Sequence, residues 1–322
     1  MSGIILRLCV EYWQIRRDTM DWITGIQNAI DYIEEHLTET IDYDIVAEQS
    51  FSSTYHFQRI FSILCGFTVG EYIRNRRLSL AGSELATTDI KVIDVAMKYG
   101  YESPDSFAKA FQKFHGVTPS SARMNGSKLK SFSRLILKIS LEGGKLMNYR
   151  IEEKPEMILT GYKKHFTGAP YGKEREQQEE QLFITTRGKQ WFLRGVSRNI
   201  DAHCVITNIT DEGYDFYYCH LLDSWDRENL YNKSVTGVDF VEDLGLENIV
   251  IPQSTYVIFE TNNVKSPICD YFDLLNLRIQ ILTGWMPDMG FQLKNAPELA
   301  VYHWLPKSER NIQIWMPIEK IK

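Results

Sequence analysis

Apolar residues recur at intervals of three and four along the first third of the chain, which is the spacing of amphipathic helices. The clearest run predicts a helix over 23–37, whose apolar positions are Ile23, Ile26, Ile30, Ile33 and Leu37. The same pattern predicts six further helices, near residues 43–50, 53–65, 69–87, 92–99, 104–115 and 119–124. Seven helices in so short a stretch indicate an all-helical unit.

The pattern changes in the second half of the chain, where short apolar runs bounded by turn residues indicate β-strands. Strands are predicted at 149–153, 157–163, 203–209, 214–220, 254–260, 298–304 and 311–316, with helices near 174–195 and 268–283. Strands interleaved with only two sizeable helices favour an α+β domain with a mostly antiparallel sheet. One more strand is predicted at 135–141, ahead of Gly143 and Gly144.

These patterns divide the 322 residues into four segments. Residues 1–20 match neither pattern and are interpreted as an N-terminal extension, and residues 21–125 form the helical domain. Residues 126–147 start in a breaker sequence and are basic, so they are predicted to connect the domains. Residues 148–322 form the α+β domain, and each domain is long enough to bury a core.

The helical domain contains an internal repeat, in residues 45–68 and 94–118. Four pairs of residues correspond, namely Ala47 with Ala96, Phe57 with Phe107, Phe61 with Phe111, and Gly66 with Gly116. Each copy reads as a helix, a turn and a second helix, and the second copy has one extra residue in its turn. Two helix-turn-helix copies predict a protein that reads two adjacent turns of DNA.

Local signals support the second copy. Ser103 is a suitable N-cap and Pro104 suits the first position of the following helix. Gly100 is predicted to adopt a positive φ at the end of the preceding helix.

The second helix of each copy carries the side chains predicted to contact DNA, because a helix in the major groove needs polar residues on its leading face. In the first copy these are Ser53, Tyr55, His56, Gln58 and Arg59, joined by Arg76 from the long helix that follows. In the second copy they are Asp105, Ser106, Lys109 and Lys113. Gln and Arg suit base reading, whereas the two lysines suit phosphate contacts. A merely solvated helix face is the alternative for each residue.

The net charge of −6 does not by itself indicate a DNA-binding protein, but the charge is unevenly distributed. Residues 21–44 hold seven acidic side chains and no Lys or Arg. Residues 53–80 hold Arg59, Arg74, Arg76 and Arg77 against the single Glu71. Phosphates respond to local potential rather than to total charge, so this basic stretch is compatible with DNA binding.

Composition and motifs narrow the class of protein. The apolar runs are too short for a signal peptide or a membrane span, and five scattered cysteines indicate a reduced, cytoplasmic protein. The sequence contains no phosphate loop, dinucleotide fingerprint, nucleophile elbow or metal-spaced His/Cys cluster. We therefore predict no cofactor, no metal and no enzymatic activity.

The second repeat carries a resemblance to a known family. Ile93-Asp94-Val95-Ala96, Gly100-Tyr101 and Gly116-Val117-Thr118-Pro119-Ser120, with Phe107 and Phe111, resemble the signature of AraC/XylS-family transcription regulators. The resemblance covers about residues 21–124 and implies two helix-turn-helix motifs joined by a long helix. Family position implies that Tyr55, Gln58 and Arg59 read one groove segment and that Pro104, Asp105 and Lys109 face the next.

Residues from about 148 onward resemble the GyrI-like effector-binding domain, in segments 147–155, 251–260, 285–287, 296–302 and 314–318. The resemblance implies two pseudo-symmetric sheet-and-helix halves around a ligand groove, which in such domains often binds lipophilic cations. Aromatic faces and one buried carboxylate suit a cation, because both attract positive charge in a desolvated site.

The residues predicted to bind an effector are Trp191, Tyr256, Trp285, Glu298, Tyr302 and Trp304, with ordinary core as the alternative for the aromatics. The chain departs from the family at the carboxylate, because Ala300 stands two residues before Tyr302 where the family has glutamate. Strand alternation predicts Glu298 on the same face as Ala300. Whether Glu298 replaces the missing carboxylate is left open, so a neutral aromatic effector and a cation are both retained.

The sequence thus predicts a DNA-binding transcription regulator that a small hydrophobic or aromatic effector controls. Its predicted partners are double-stranded DNA and the effector, without a membrane, and a homodimer is left open. One alternative is a ligand-sequestering protein or GyrI-like hydrolase with a secondary DNA-binding half, although the missing glutamate argues against hydrolysis. Another is a constitutive regulator whose second domain is an interaction module. We expect the 126–147 connector to couple the two domains.

Overall fold

The computed structural model describes residues 24–124, 126–136, 148–171, 173–196, 201–230, 232–262, 271–304 and 311–321. They form a helical unit and a sheet unit, and the main division lies between Leu141 and Glu142. The predicted extension, residues 1–20, lies outside the described residues.

The secondary structure described in the first unit is helical. The helices are α1 (24–35), α2 (Tyr43–Glu48), α3 (Thr54–Cys65), α4 (Val69–Thr87), α5 (Val92–Lys98) and α6 (Pro104–His115), followed by a 3-10 turn at Ser121–Arg123. Six predicted helices are confirmed, and the seventh, predicted at 119–124, is only this short turn.

Capping side chains fix where two of the longer helices begin. Thr68 and Glu71 form a reciprocal capping box at the start of α4. Ser103 accepts a hydrogen bond from Ser106 N at the start of α6, and Pro104 takes the first helical position. The start predicted for this helix is therefore confirmed.

The long helix α4 packs against the second copy of the repeat. Buried residues of α4, α5, α6 and the 3-10 turn form one apolar cluster, consisting of Leu78, Ala81, Leu85, Val95, Ala96, Tyr99, Phe107, Phe111 and Ala122. Gly82 allows α6 to approach α4, because a Cβ added there would lie 2.6 Å from the His115 ring. In the first copy the equivalent phenylalanines, Phe57 and Phe61, are also buried.

The first helix of each copy ends in the same backbone conformation but with a different residue. Gly100 has a φ of 78°, which confirms the predicted positive φ. The equivalent Phe51 has a φ of 52° and a side chain that is 80% exposed. In both turns the amide of the next residue donates to the carbonyl of the matching alanine, Ala47 or Ala96. The first copy therefore holds phenylalanine in a conformation that favours glycine.

Residues 126–136 run along the helical unit, and we call them the strap. Phe132 N donates to Ser79 Oγ at 3.0 Å, and Phe132 O accepts from Arg76 Nη1 at 2.5 Å. Leu135 N donates to Tyr72 Oη at 3.2 Å. These bonds attach the first half of the predicted connector to α4.

The strap also contacts α6 through a histidine. Lys130 N donates to His115 Nδ1 at 3.2 Å, while His115 Nε2 lies 2.9 Å from Leu78 O. Neutral His115 with its proton on Nε2 satisfies both bonds, because Nδ1 must accept from Lys130 N. The strand predicted at 135–141 is not observed at 135–136, and 137–141 lie outside the described residues.

The described sheet unit contains nine strands. They are β1 (Tyr149–Lys154), β2 (Met157–Thr167), β3 (Ala202–Thr207), β4 (Gly213–Leu221), β5 (Glu247–Ile251), β6 (Ser254–Asn262), β7 (Phe291–Leu293), β8 (Glu298–His303) and β9 (Asn311–Lys320). Its helices are α7 (Lys173–Val196), α8 (Lys233–Thr236), α9 (Phe240–Asp243), α10 (Tyr271–Gln280) and α11 (Met286–Met289), with π-helical turns at Asp226–Leu230 and Ile281–Trp285. The short elements β5, β7, α8, α9 and α11 were not predicted, because so few residues carry little periodicity.

All strand pairs in this unit are antiparallel, in the order β1-β6-β9-β8-β3-β4-β2-β5, with β7 beside β9. The order contains two equivalent halves, β2-α7-β3-β4 and β6-α10-β8-β9. The edge strands are exchanged, since β1 precedes β2 but pairs with β6, and β5 precedes β6 but pairs with β2. The predicted pseudo-symmetric α+β fold is thereby confirmed.

The two halves meet where β3 pairs with β8, and Cys204 opposite Ala300 is the middle pair of this junction. Side chains alternate between the two faces of the sheet. The face that carries α7 and α10, here called the helix face, includes Tyr218, which contacts Phe183 of α7 at 5.0 Å between ring centroids. The opposite face carries an apolar cluster that includes Leu299 and Trp315.

Candidate functional site

Helix α6 presents a polar face to solvent. The four side chains predicted to contact DNA from this helix are exposed, namely Asp105, Ser106, Lys109 and Lys113. Phe107 and Phe111 anchor the opposite side of the helix in the core. The two lysines stand four residues apart, so they lie on the same side of the helix, where they can approach one phosphate backbone.

Helix α3 presents fewer of its predicted contacts. Ser53 is exposed, and its Oγ accepts from His56 N at 3.3 Å as a helix cap. Tyr55 and Gln58 are half-buried. His56 and Arg59 are buried, which departs from the prediction that they occupy the exposed face.

Helix geometry accounts for this burial. His56, Arg59 and Ile63 are spaced by three and four, so they lie on one stripe, and Ile63 is 2% exposed. The guanidinium of Arg59 also lies 5.9 Å from the centroid of the Tyr55 ring. Burial and the neighbouring Arg59 charge lower the pKa of His56 to about 4, so this imidazole is neutral at neutral pH. A DNA contact from either residue stays a prediction.

Arg76, which was also predicted to contact DNA, binds partners within the helical unit. Its Nε and Nη2 donate to the two carboxylate oxygens of Glu34 at 2.8 and 2.7 Å, and its Nη1 binds the strap at Phe132 O. Tyr72 Oη donates to the same carboxylate at 2.6 Å. Burial raises the pKa of Glu34, but the hydrogen bonds from Arg76 and Tyr72 outweigh it and hold that pKa below its ordinary value. These donors are therefore committed within the helical unit.

The residues predicted to bind an effector do not share one face of the sheet. The register places Glu298, Ala300 and Tyr302 on the helix face, and Tyr256 on the opposite face in the apolar cluster. Tyr256 is thus separated by the sheet from Glu298. These residues therefore do not all line one face, and an effector contact by any of them stays a prediction.

The predicted tryptophans are also dispersed. Trp285 packs against Tyr149, with 4.8 Å between ring centroids, and Trp304 stacks on Tyr302 at 6.0 Å. Trp191 lies in α7, and its side chain is outside the described part of the chain. Tyr302 and Trp304 thus remain together beside the junction of the halves.

Glu298 is fully buried and both of its oxygens accept hydrogen bonds. Arg278 Nε donates to Oε1 at 2.5 Å, and Tyr171 Oη donates to Oε2 at 2.6 Å. Arg278 is 1% exposed, and its guanidinium lies 5.5 Å from the centroid of the Tyr171 ring. The carboxylate at position 298 therefore carries its own buried counter-ion.

A second buried ion pair comes from α7. Arg175 is 3% exposed, its Nη2 lies 2.7 Å from Glu179 Oε1, and its Nη1 donates to Pro170 O at 2.9 Å. The charges of both arginines act on Tyr302 and on the thiol of Cys204. Burial raises the pKa of Cys204, so the thiol is protonated and unsuited to nucleophilic chemistry.

We call this group of residues the midline cluster, because it surrounds the junction of β3 and β8 on the helix face. It consists of Tyr171, Arg175, Glu179, Arg278, Glu298 and Tyr302, with the small side chains Ala202, Cys204 and Ala300 on the strands. Two buried arginines balance two glutamates in this cluster.

Sequence reasoning missed four of the six polar and aromatic members of the midline cluster, namely Tyr171, Arg175, Glu179 and Arg278. Arg175 and Tyr171 stand outside any apolar pattern, so periodicity gave no signal for them. Arg278 lies four residues after Leu274 and three before Ile281, on the buried stripe of α10 and the following π-helical turn. That spacing is the signal that identifies a buried arginine.

Comparison with known proteins identifies the helical unit. A family model described as a helix-turn-helix domain matches residues 46–125. The transcriptional activator AarP of Providencia stuartii is 39% identical over 110 residues, which are 34% of this chain and 82% of AarP. The regulatory protein SoxS of Salmonella typhimurium is 42% identical over 98 residues, which are 30% of this chain and 92% of SoxS.

The chain belongs to the AraC-type family of helix-turn-helix transcriptional regulators, and its helical unit is a DNA-binding unit. The relatives named above are a transcriptional activator and a regulatory protein. None of the described helices is both long enough and apolar enough to cross a membrane.

Two solved structures resemble different parts of the chain. SAV2435 bound to tetraphenylphosphonium has a TM-score of 0.40 and 14% identity, and the match covers 54% of this chain and 94% of that one. The DNA-binding domain of AdpA in complex with a target DNA has a TM-score of 0.29 and 27% identity, over 31% of this chain and 89% of that one. At these TM-scores neither likeness bears on where a ligand or DNA binds here.

Proposed function

We propose that this regulator is controlled by a small molecule that binds in the sheet unit at the midline cluster. The observation that carries the proposal is the burial of Arg175, Arg278 and Glu298 where the halves of the sheet meet, with the half-buried Glu179 paired to Arg175. Taking charges out of water is costly, and buried charge of this kind concentrates at functional sites. Ligand sites also form preferentially at junctions between structural halves.

Small side chains support the same position. Ala202, Cys204 and Ala300 occupy the helix face of β3 and β8 at the junction. The charges of Arg175 in α7 and Arg278 in α10 both act on Cys204. An apolar ligand body fits over small residues, and Tyr302 and Trp304 supply aromatic surface at one side.

Control of DNA binding requires that the effector prefer one conformation of the protein over another. The strap is the element through which we propose that this preference reaches the DNA-binding unit. It is held on α4 by Ser79, Arg76 and Tyr72, and it precedes the sheet unit in the sequence. A change in the hydrogen bonds between the strap and α4 would act on the helix that joins the two helix-turn-helix motifs.

A thermal-shift screen of the intact chain with neutral, anionic and cationic aromatic compounds tests this function. A ligand at about 100 times its Kd adds ~2.7 kcal/mol to the stability of the state that it binds. A compound that raises Tm should also change the Kd of the chain for DNA from upstream of its own gene. Compounds that raise Tm but leave the DNA Kd unchanged would contradict effector control.

A constitutive regulator with an interaction module is the second candidate. Apolar side chains are exposed between β4 and β5, where Trp225, Val235 and Val238 are 46%, 62% and 38% accessible. A screen in which no compound moves Tm would favour this candidate over effector control.

A further inference from the structure

Glu298 is not available as a counter-ion for a cationic ligand. Its carboxylate is fully buried, and its two oxygens already accept from Arg278 and Tyr171. The second carboxylate of the midline cluster, Glu179, is bound by Arg175. A cation entering the cluster would therefore meet two guanidinium groups whose partners are already engaged.

The midline cluster instead lacks a hydrogen-bond acceptor for one of its donors. Arg278 is only 1% exposed, and its buried Nη2 has no hydrogen-bond partner among the described residues. A buried donor without a partner is unfavourable and is satisfied by an acceptor oxygen, best by a charged one. This donor belongs to the same guanidinium that holds Glu298 beside the small residues of the junction.

Building on the function proposed above, we propose that the effector is an organic acid with an apolar, aromatic-sized body. Its carboxylate accepts from Arg278 Nη2, and its body lies over Ala300 and Cys204 beside Tyr302. Arginine suits this role because its planar, permanently charged group presents several donors to a carboxylate. In this arrangement Arg278 binds the ligand, and Glu298 orients Arg278.

Three compounds of the same shape and different charge test the assignment, with the intact chain and calorimetric titration. They are naphthalene-2-carboxylate, naphthalene-2-carboxamide and the cation naphthalene-2-carboxamidine. The carboxylate should bind with a Kd about tenfold or more below those of the amide and the amidine. Equal binding of the amide, or tighter binding of the amidine, overturns the acid assignment while leaving effector binding in place.

The variant Glu298→Gln separates the two possible roles of this carboxylate. Removing its charge leaves Arg278 less neutralised, so the naphthalene carboxylate should bind about tenfold more tightly. If Glu298 instead serves cations, the same variant abolishes binding of the amidine and of tetraphenylphosphonium, which overturns the proposal. Glu319→Gln, an exposed change in β9 of the same unit, is the matched control and should change neither affinity.

A second variant keeps the test decisive if Glu298→Gln does not fold. Arg278→Lys retains a cation for Glu298 but removes the second nitrogen, so it should weaken carboxylate binding about tenfold and leave the amidine unaffected. Unchanged carboxylate affinity in this variant removes Arg278 from the site. If none of the three compounds nor tetraphenylphosphonium binds, the result contradicts the proposed function itself, and the acid assignment falls with it.

Discussion

Arg278 Nε and Glu298 Oε1 lie 2.5 Å apart, with side chains only 2% and 0% exposed, at the junction of the two halves of the sheet. Arg278 in α10 and Glu298 in β8 belong to the same half of the sheet unit. Tyr171, which also binds Glu298, lies between β2 and α7 in the other half. The carboxylate therefore joins the halves through the hydrogen bond from Tyr171, while its ion pair with Arg278 lies within one half. Its first role is structural, and any role toward a ligand acts through Arg278.

Removing one charge of this ion pair should lower the free energy of unfolding more than removing both charges. Glu298→Gln leaves the Arg278 charge buried without a full counter-ion, and we expect a loss of about 3 kcal/mol in the free energy of unfolding. The double variant Glu298→Gln/Arg278→Met removes both charges and should recover part of that loss. Urea unfolding of the three proteins measures the difference. A double variant less stable than the single one would show that the charges are not coupled.

The strap should depend on Glu34, because Glu34 orients both Arg76 and Tyr72, which bind strap backbone atoms. Glu34→Gln should cost about 2 kcal/mol, since its side chain is 9% exposed and that of Arg76 12% exposed. Trypsin should also cleave the strap faster at Lys128 and Lys130. The comparison is Asp31→Asn, which breaks an exposed strap contact, the pair with Arg134, and should cost less than about 1 kcal/mol because solvent screens it. Equal losses in the two variants would contradict the account.

The turn of the first repeat should be stabilised by glycine. Phe51 has a φ of 52° and an 80% exposed side chain, so Phe51→Gly removes backbone strain and little packing. Left-handed geometry costs a non-glycine residue roughly 1–2 kcal/mol, and the added freedom of glycine in the unfolded chain offsets part of the gain. We expect the free energy of unfolding to rise by about 0.5–1 kcal/mol, and Tm to rise with it.

The equivalent glycine provides the control for that substitution. Gly100→Ala should lower Tm, because φ is 78° and the added Cβ would lie 2.7 Å from Arg77 Nη1. If both substitutions lower Tm, the left-handed position of the first turn is not strained.

Acid should destabilise the protein through buried neutral histidines. Burial lowers the pKa of His203 to about 4, with a smaller opposing effect of Asp201, and the pKa of His56 is also about 4. Because these values lie below the unfolded value, the folded state binds fewer protons, and stability is lost as pH falls from about 6.5 toward 4.

The expected loss is roughly 2 kcal/mol for each histidine between about pH 7.5 and pH 5. Urea unfolding at the two pH values measures it, and His203→Gln should flatten the dependence by about that amount. His165→Gln is the control, because the His165 side chain is 56% exposed. If His203→Gln leaves the pH dependence unchanged, His203 is not buried in its neutral form.

Periodicity gave α1, α3 and α6 because an apolar stripe recurs through several turns of each, and the internal repeat located the short helices α2 and α5. Periodicity also gave the long strands, and the family resemblance gave their arrangement. It did not give the exchange of β1 and β5 between halves, because each edge strand forms a hairpin-like sequence with the strand that follows it. Which strand it pairs with depends on the whole sheet.

Charge was the less reliable guide to the candidate sites. The acidic residues of 21–44 and the arginines of 53–80 looked like a polarised surface, but Glu34 and Arg76 neutralise one another in the structure. Arg77 donates to Leu37 O and Glu39 O at 2.7 and 2.6 Å, so it joins α4 to the end of the first helical segment. Pairing across long sequence distances decides which charges face solvent, and local sequence does not contain it.

Helix α6 is the part of the DNA-binding unit whose predicted contacts are all exposed, so it offers the most direct test of the account. Fluorescence anisotropy should give the Kd of the intact chain for a duplex from upstream of its own gene and for a scrambled duplex of equal length. Lys98→Ala is the matched control for Lys109→Ala, because Lys98 pairs with Glu84 at 2.7 Å.

We predict tighter binding to the upstream duplex, with an affinity that falls steeply between about 50 and 200 mM salt. Lys109→Ala should weaken binding to both duplexes and reduce the salt slope by about one, whereas Lys98→Ala should change neither. Equal affinity for the two duplexes, or a salt slope that Lys109→Ala leaves unchanged, would contradict the claim that α6 contacts the DNA to which this regulator binds.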